Sequence, residues 1–184
     1  SELSLEESLD VVSQLSELGF REVALIGGEF YLREDWDQIA QAITDAGMLC
    51  TMVTGGRGLT KGRVERASNA GVALISVSVD GLRETQNELR GVSGSWDAAL
   101  AAGQLVYEAG IELGANTQIN RRTIAELPAL AAELLQRGCR AWQMQLTVPM
   151  GRAADRPEIL LQPYELKEVF AILKRLQDEV MGPA

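Results

Sequence analysis

The stretch Val23-Ala-Leu-Ile-Gly-Gly-Glu29 decides how the fold is interpreted. Its first four residues are apolar, as in a short buried strand, and two glycines end the strand before an acidic residue. Apolar residues at helical spacing precede it over Ser8–Leu18 and follow it over Trp36–Ala46. A strand that lies between two helices is typical of a parallel α/β sheet.

The order of helix, glycine, strand and polar loop repeats along the chain. Further strands are predicted at Met48–Val53, Ala73–Val79, Ile111–Thr117 and Ala141–Val148, and further helices at Gly62–Ala70, Trp96–Ala109, Thr123–Arg137 and Tyr164–Val180. Helices between successive strands form right-handed crossovers in one parallel sheet. Five strands are fewer than the eight of a closed barrel, so we expect an incomplete, TIM-like α/β barrel. No linker divides the chain, and residues 1–184 are predicted to form one domain.

Composition excludes several classes of function. Lys and Arg number 17 against 26 Asp and Glu, and the net charge of −9 disfavours nucleic acid and anionic membranes as partners. No apolar run of ~18 residues is present to cross a membrane. Histidine is absent, which excludes His-based catalytic triads and His-ligated zinc. The two cysteines, Cys50 and Cys139, cannot hold an iron–sulfur cluster by themselves, and they indicate a reducing, cytoplasmic setting.

Polar residues concentrate after the strands, where parallel α/β folds carry their ligands. Gly27 and Gly28 leave backbone groups open to a ligand, and the carboxylate of Glu29 can accept hydrogen bonds from an ammonium group. A tight turn with a solvated acid explains the same residues equally well.

A second polar group follows the third predicted strand. Ser78 and Asp80 lie two residues apart and point the same way, which suits the two hydroxyls of a ribose. The alternative is an interior serine and an aspartate that caps a turn. The guanidinium of Arg90 could clamp a carboxylate, although most arginines lie on the surface without such a role.

Six stretches occur together in one order. They are Leu3-Ser-Leu-Glu-Glu7, Val23-Ala-Leu-Ile-Gly-Gly-Glu29 with Leu32-Arg-Glu-Asp35, Thr54-Gly-Gly56, Ile75-Ser-Val-Ser-Val-Asp-Gly81, Leu89-Arg-Gly91 with Ser95-Trp96, and Pro149-Met-Gly-Arg-Ala153. This order resembles the core of a radical S-adenosylmethionine (SAM) enzyme. The resemblance is to the SPASM-type subgroup, which carries a cluster-binding C-terminal extension and modifies peptides or makes peptide-derived cofactors.

The resemblance implies a (β/α)6 partial barrel and an iron–sulfur oxidoreductase. A 4Fe-4S cluster held by Cys-x3-Cys-x2-Cys would bind SAM, and one-electron reduction would cleave SAM to methionine and a 5′-deoxyadenosyl radical. The implied contacts to SAM are Gly27, Gly28 and Glu29 for the amino group, Arg90 for the carboxylate, Ser78 and Asp80 for the ribose, Thr54 near the same pocket, and Leu146 to Val148 for the adenine. Phe30 and Gly55 replace the proline and asparagine usual in the family.

Neither the cluster motif nor the first barrel strand is found in the 184 residues. We therefore expect a truncated piece of a longer enzyme, inactive by itself, with no catalytic residue, metal ligand or bound cofactor of its own. The substrate of the parent enzyme is expected to be an unknown peptide or small molecule. The strand at Val23–Ile26 would lose its neighbour, so we also expect self-association through this edge.

Two other functions remain open at this point. The chain could be a non-catalytic half-barrel that binds a partner through its open edge. It could also be a metabolic (β/α) enzyme that binds phosphate on the glycine amides of Thr54–Arg57.

Overall fold

The computed structural model describes residues 2–178, apart from the side chain of Arg152. The described chain forms two compact units. The first contains the residues up to Ser78 together with Ala98–Gly114, and the second contains Val79–Asp97 and the residues from Ala115 onward. One domain over residues 1–184 stays a prediction. Ser1 and residues 179–184, which include the predicted helix end at Val180, lie outside the described part of the chain.

Five strands follow one another in the sheet in chain order. They are β1 (Glu22–Leu25), β2 (Leu49–Thr54), β3 (Leu74–Ser78), β4 (Glu112–Ile119) and β5 (Ala141–Leu146). All five are parallel, and Val23 pairs with Cys50 as Met52 pairs with Ile75. The predicted fold class is confirmed, because helices alternate with parallel strands that are too few to close a barrel.

The helices are α1 (Leu5–Glu17), α2 (Trp36–Asp45), α3 (Lys61–Asn69), α4 (Arg83–Arg90), α5 (Ser95–Glu108), α6 (Leu127–Gln136) and α7 (Leu166–Leu176). Ser4 caps α1 with its hydroxyl while the Glu7 side chain bonds back to the Ser4 backbone, a reciprocal capping box. Helix α4 was not predicted, because its sequence offers a single apolar residue, Leu89, and hence no helical spacing. None of the described helices combines the length and apolar composition needed to span a bilayer.

Each unit has its own apolar core. In the first unit, fully buried side chains include Trp36, Ile43 and Met52. In the second unit, Ile119 and Leu127 belong to a cluster that α6 and α7 complete. Burying one such side chain stabilises the fold by roughly 1.5–3 kcal/mol, which holds the strands and the loops after them in place.

Candidate functional site

The loop after β1 leaves its backbone open on one side. Gly27 has φ +98°, a conformation that side chains other than glycine rarely adopt. A Cβ atom added at Gly27 or Gly28 would meet no other atom within 4 Å. These two residues therefore expose their backbone groups to any ligand that approaches this loop.

The carboxylate of Glu29 is held by the loop after β2. The Thr54 hydroxyl donates a hydrogen bond to Oε2 at 2.5 Å, and the Gly55 N–H donates to Oε1 at 3.1 Å. Each carboxylate oxygen has a further lone pair for a second donor. Glu29 is thus oriented by two donors and can still accept from a bound ammonium group.

Tyr31 completes this network, although no feature of the sequence pointed to it. Its hydroxyl donates to the Arg57 carbonyl oxygen at 2.8 Å and lies 2.9 Å from the Thr54 hydroxyl. The ring is buried, and the Arg63 guanidinium stacks on it at 4.9 Å. Burial first and the Glu29 carboxylate second raise the pKa of the Tyr31 phenol, which therefore stays protonated at neutral pH.

Gly56 ties this loop to helix α5. A Cβ at Gly56 would lie 2.7 Å from the Ala98 carbonyl oxygen and 2.8 Å from the Ala99 Cα, closer than real atoms approach. The Gly56 N–H donates to the Thr54 hydroxyl at 2.9 Å. The N–H groups of Gly55 and Gly56 already donate to protein acceptors. They are therefore not available to bind a phosphate group, which disfavours a phosphate site at this loop.

A cavity of about 690 Å³ lies beside β1 in the first unit. Gly27, Gly28 and Glu29 line it together with apolar side chains of α1 and α2. Thr54 is not among its lining residues. The cavity is large enough for a nucleoside-sized ligand, and the loop after β1 forms part of its polar lining together with Glu2, Ser8 and Arg33.

The second group centres on Asp80, two residues after the end of β3. Asp80 is 6% exposed, and its carboxylate lies 2.7 Å from Nη2 of Arg90 and accepts from the Gln118 N–H at 3.0 Å. The Asp80 N–H donates to Oε1 of Gln86 at 2.7 Å. Asp80 and Arg90, predicted to contact different parts of one ligand, therefore contact each other.

The remaining predicted residues lie at strand ends in less constrained positions. Ser78 is the last residue of β3 and is half-buried. Leu146 ends β5 with 42% of its surface exposed, and Val148 follows with 53% exposed. The structure thus joins Glu29 to Thr54 and Asp80 to Arg90 by direct contacts, and it leaves Leu146 and Val148 open to solvent.

The described residues fit SAM better than they fit an iron–sulfur cluster. The open glycine backbone and the oriented Glu29 suit an α-amino group, whereas the Arg90 guanidinium is already paired with Asp80. Both cysteines are buried, and burial raises the pKa of Cys50 to about 12, which disfavours the thiolate that iron needs. Among residues 2–178, no group of three or more His, Cys, Asp and Glu side chains is placed to hold a metal ion.

Comparison with known families gives a match over most of the chain. A family model described as the radical SAM superfamily matches residues 1–135. This range contains Gly27, Glu29, Asp80 and Arg90, and it ends before Leu146 and Val148.

Two named relatives are similar over about nine-tenths of the chain. An AdoMet-dependent heme synthase of Methanosarcina barkeri is 31% identical over 89% of this chain and 47% of its own length. A PqqA peptide cyclase of Rhizobium meliloti is 27% identical over 91% of this chain and 45% of its own length. The chain therefore spans less than half the length of these relatives.

Solved structures show the same fold at low sequence identity. SuiB of Streptococcus suis, in a crystal structure bound to S-adenosylmethionine, superposes with a TM-score of 0.80 over 95% of this chain and 41% of SuiB, at 15% identity. The anSMEcpe protein with bound AdoMet and a peptide gives a TM-score of 0.76 over 95% of this chain and 52% of its own chain, at 16% identity.

Proposed function

The chain belongs to the radical SAM superfamily, and on that premise we propose that it forms the SAM-binding part of an enzyme that modifies a peptide or small molecule. The resemblance found in the sequence is thereby confirmed. One observation carries the proposal about binding: the Glu29 carboxylate follows two open glycines and is oriented by Thr54 and Gly55. This arrangement suits the amino group of an amino-acid-like ligand.

Each part of SAM is assigned to different residues. Gly27, Gly28 and Glu29 receive the amino group, and Arg90 receives the carboxylate while Asp80 holds its guanidinium in place. Ser78 and Asp80 are the proposed ribose contacts, Thr54 orients Glu29, and Leu146 to Val148 offer apolar surface to the adenine. Because Asp80 already serves Arg90 and the Gln118 N–H, its share in ribose binding is limited to its remaining lone pairs.

The radical chemistry requires groups that the described residues do not supply. In this superfamily a 4Fe-4S cluster and one external electron cleave SAM to methionine and a 5′-deoxyadenosyl radical. Cys50 and Cys139 are two buried thiols, and three thiolates are needed. We therefore propose that the 184 residues alone do not cleave SAM and bind it weakly, and that the whole enzyme works in the reducing cytoplasm.

Titration of the ¹⁵N-labelled chain with SAM tests this proposal. We expect weak, saturable shifts of the Gly27, Gly28 and Gly55 backbone signals, because these residues frame the proposed amino-group site. Arg90→Lys, which cannot form the planar fork, should weaken binding by roughly tenfold. Arg83→Lys is the matched control on the same helix, since Arg83 pairs with exposed Asp97.

Two outcomes would contradict the proposal. Equal losses in the two arginine variants would remove Arg90 from the site. Tight, stoichiometric binding by the 184 residues would show that the cluster is not needed for binding. A sulfate or phosphate ion that competes for the Gly55 and Gly56 signals would instead favour the metabolic phosphate-binding alternative.

Self-association through the edge of β1 is a second part of the proposal. The structure places β1 at one end of the strand order, and Phe20, Ile26 and Leu49 are exposed apolar residues in and around β1 and β2. Light scattering at increasing concentration should show dimers or larger species, and Ile26→Lys should reduce them. A monomer at all concentrations would contradict this part.

A further inference from the structure

One face of strands β4 and β5 carries uncharged amide side chains. Trp142 and Met144 of β5 pack against the core cluster of the second unit, on the side of α6 and α7. Side chains alternate along a strand, so Gln143 and Gln145 lie on the opposite face, and both are exposed.

Strand β4 contributes to the same face. Nε2 of Gln118 donates to Oε1 of Gln145 at 2.8 Å, which places these two side chains together. Asn116 lies two residues before Gln118 and shares its side of the strand. Asn116, Gln118, Gln143 and Gln145 are hereafter called the amide face.

The amide face offers both kinds of hydrogen-bonding group. The bond between Gln118 and Gln145 leaves the carbonyl oxygen of Gln118 and the NH₂ hydrogens of Gln145 for a ligand. The other orientation of the two amides would also leave one acceptor and one donor. A peptide group carries one N–H and one C=O, and it is therefore the complement of this pair.

The described arginines in the loops that follow β4 and β5 form ion pairs with acidic side chains. Arg121 forms an ion pair with Glu165 at 2.8 Å, Arg122 pairs with Glu88, and Arg156 pairs with Glu158 at 3.2 Å. These are the arginines with described side chains in the loops after β4 and β5. A ligand with several carboxylates would have to break these pairs or leave its charges uncompensated.

We propose that the amide face binds an uncharged, peptide-like part of the substrate and discriminates against polycarboxylates. This deepens the proposed function, on which it rests, by naming the substrate class and the four residues that recognise it. It favours a peptide over a carboxylated tetrapyrrole, the two kinds of substrate that the names of the relatives suggest.

The test compares two isosteric probes on the 184-residue chain labelled with ¹⁵N. The neutral peptide acetyl-Ala-Asn-Gln-Ala-amide should shift the side-chain NH₂ signals of Gln118 and Gln145. Its acidic counterpart, acetyl-Ala-Asp-Glu-Ala-amide, should bind roughly tenfold more weakly, because nothing on the amide face compensates its charges.

Variants define the binding surface. Gln118→Leu with Gln145→Leu should weaken the neutral peptide by roughly tenfold, since two hydrogen-bonding groups are lost. Gln104→Leu is the matched control, because Gln104 is an exposed glutamine that bonds only to Glu108 among the described residues. Gln145→Arg should reverse the preference and improve binding of the acidic peptide and of a tetracarboxylate porphyrin.

The results separate this proposal from the proposed function. If SAM shifts the Gly27 and Gly55 signals but neither peptide shifts Gln118 or Gln145, the amide face is not a peptide site, and SAM binding stands. If the porphyrin binds the unmodified chain more tightly than the neutral peptide, the substrate class is wrong. If the neutral peptide binds and SAM does not, the proposed function fails while the peptide site remains.

Discussion

The ends of strands β2 and β5 differ in how strongly contacts within the protein fix their residues in the absence of a ligand. At the end of β2, Thr54 is 2% exposed and contacts Glu29, Tyr31 and Gly56. After β5, Val148 is 53% exposed, and Met150 is 75% exposed. The first end is a preorganised scaffold, whereas the second is surface that only a ligand or partner would cover. Substitutions should therefore cost folding stability at the first end and leave it unchanged at the second.

The largest effect is expected at Gly56. Gly56→Ala should destabilise the chain by about 3 kcal/mol or more, because the added Cβ meets the backbone of Ala98 and Ala99 at a φ of +85°. Gly27→Ala is the control: its φ of +98° is equally unfavourable, but its surroundings are open, so about 1–2 kcal/mol is expected. Urea unfolding measures both. Equal losses would mean that packing on α5 does not fix the loop after β2.

Thr54→Val tests the hydroxyl at the centre of the same loop. The valine has the same shape but leaves the Gly56 N–H without its acceptor, and about 2 kcal/mol should be lost. Thr51→Val removes a single bond to Glu22 at 3.2 Å and should cost less than about 1 kcal/mol. If Thr51→Val costs as much, the network around Thr54 is no more rigid than the rest of β2.

The ion pair between Asp37 and Arg66 should make the free energy of unfolding depend on pH. The hydrogen bonds from Arg66 lower the pKa of Asp37 below 3.8, so the folded state binds this proton less readily than the unfolded state. The resulting stability is present above the unfolded pKa of about 4 and is lost as the pH falls through the folded value. Asp37→Asn should abolish the part of the stability loss at acidic pH that comes from this carboxylate.

The control for this experiment is Asp45→Asn on the same helix. Asp45 accepts from the neutral Gln41 side chain, with no arginine partner among the described residues. Urea unfolding between pH 3 and pH 7 compares the variants. If Asp37→Asn lost more stability than the unmodified chain between pH 7 and pH 3, the expected effect of this ion pair would be contradicted.

The smallest effect is expected after β5. Leu146→Ala and Val148→Ala should each change stability by less than about 0.5 kcal/mol, because both side chains are largely solvent-exposed. Leu127→Ala, at a fully buried position of α6, should cost about 2–5 kcal/mol under the same conditions. A loss above 1 kcal/mol at Val148 would show that this end also belongs to the scaffold.

The sequence predicted the parts of the fold that depend on local spacing. Strand β2 and helix α2 follow from apolar periodicity and from the glycine that separates them. Helix α4 lacks both local signals: it has a single apolar residue, Leu89, and the carboxylate that accepts from the Leu82 N–H at 2.7 Å is that of the distant Glu126. That contact joins residues 44 positions apart, and no local pattern encodes it.

The candidate site also contains residues that the sequence indicates and residues whose roles depend on contacts between distant parts of the chain. Glu29 and Arg90 were recognisable because they follow strands or sit in a motif of the family. The role of Tyr31 depends on a contact with Thr54 across 23 residues, and the pairing of Asp80 with Arg90 depends on the fold of α4. The roles of these groups in binding stay predictions, and the sequence could not show that several of them are already each other's partners.

The hydrogen-bond network around Thr54 has fewer hydroxyl hydrogens than contacts that could use them. The hydroxyls of Tyr31 and Thr54 carry two hydrogens, and three contacts compete for them: Tyr31 with the Arg57 carbonyl, Tyr31 with Thr54, and Thr54 with Glu29. Only a ligand that displaced the Thr54 hydroxyl from Glu29 would free the Thr54 hydrogen to donate to Tyr31 instead. The Tyr31 hydrogen keeps its bond to the Arg57 carbonyl in both arrangements, so this rearrangement needs no movement of heavy atoms.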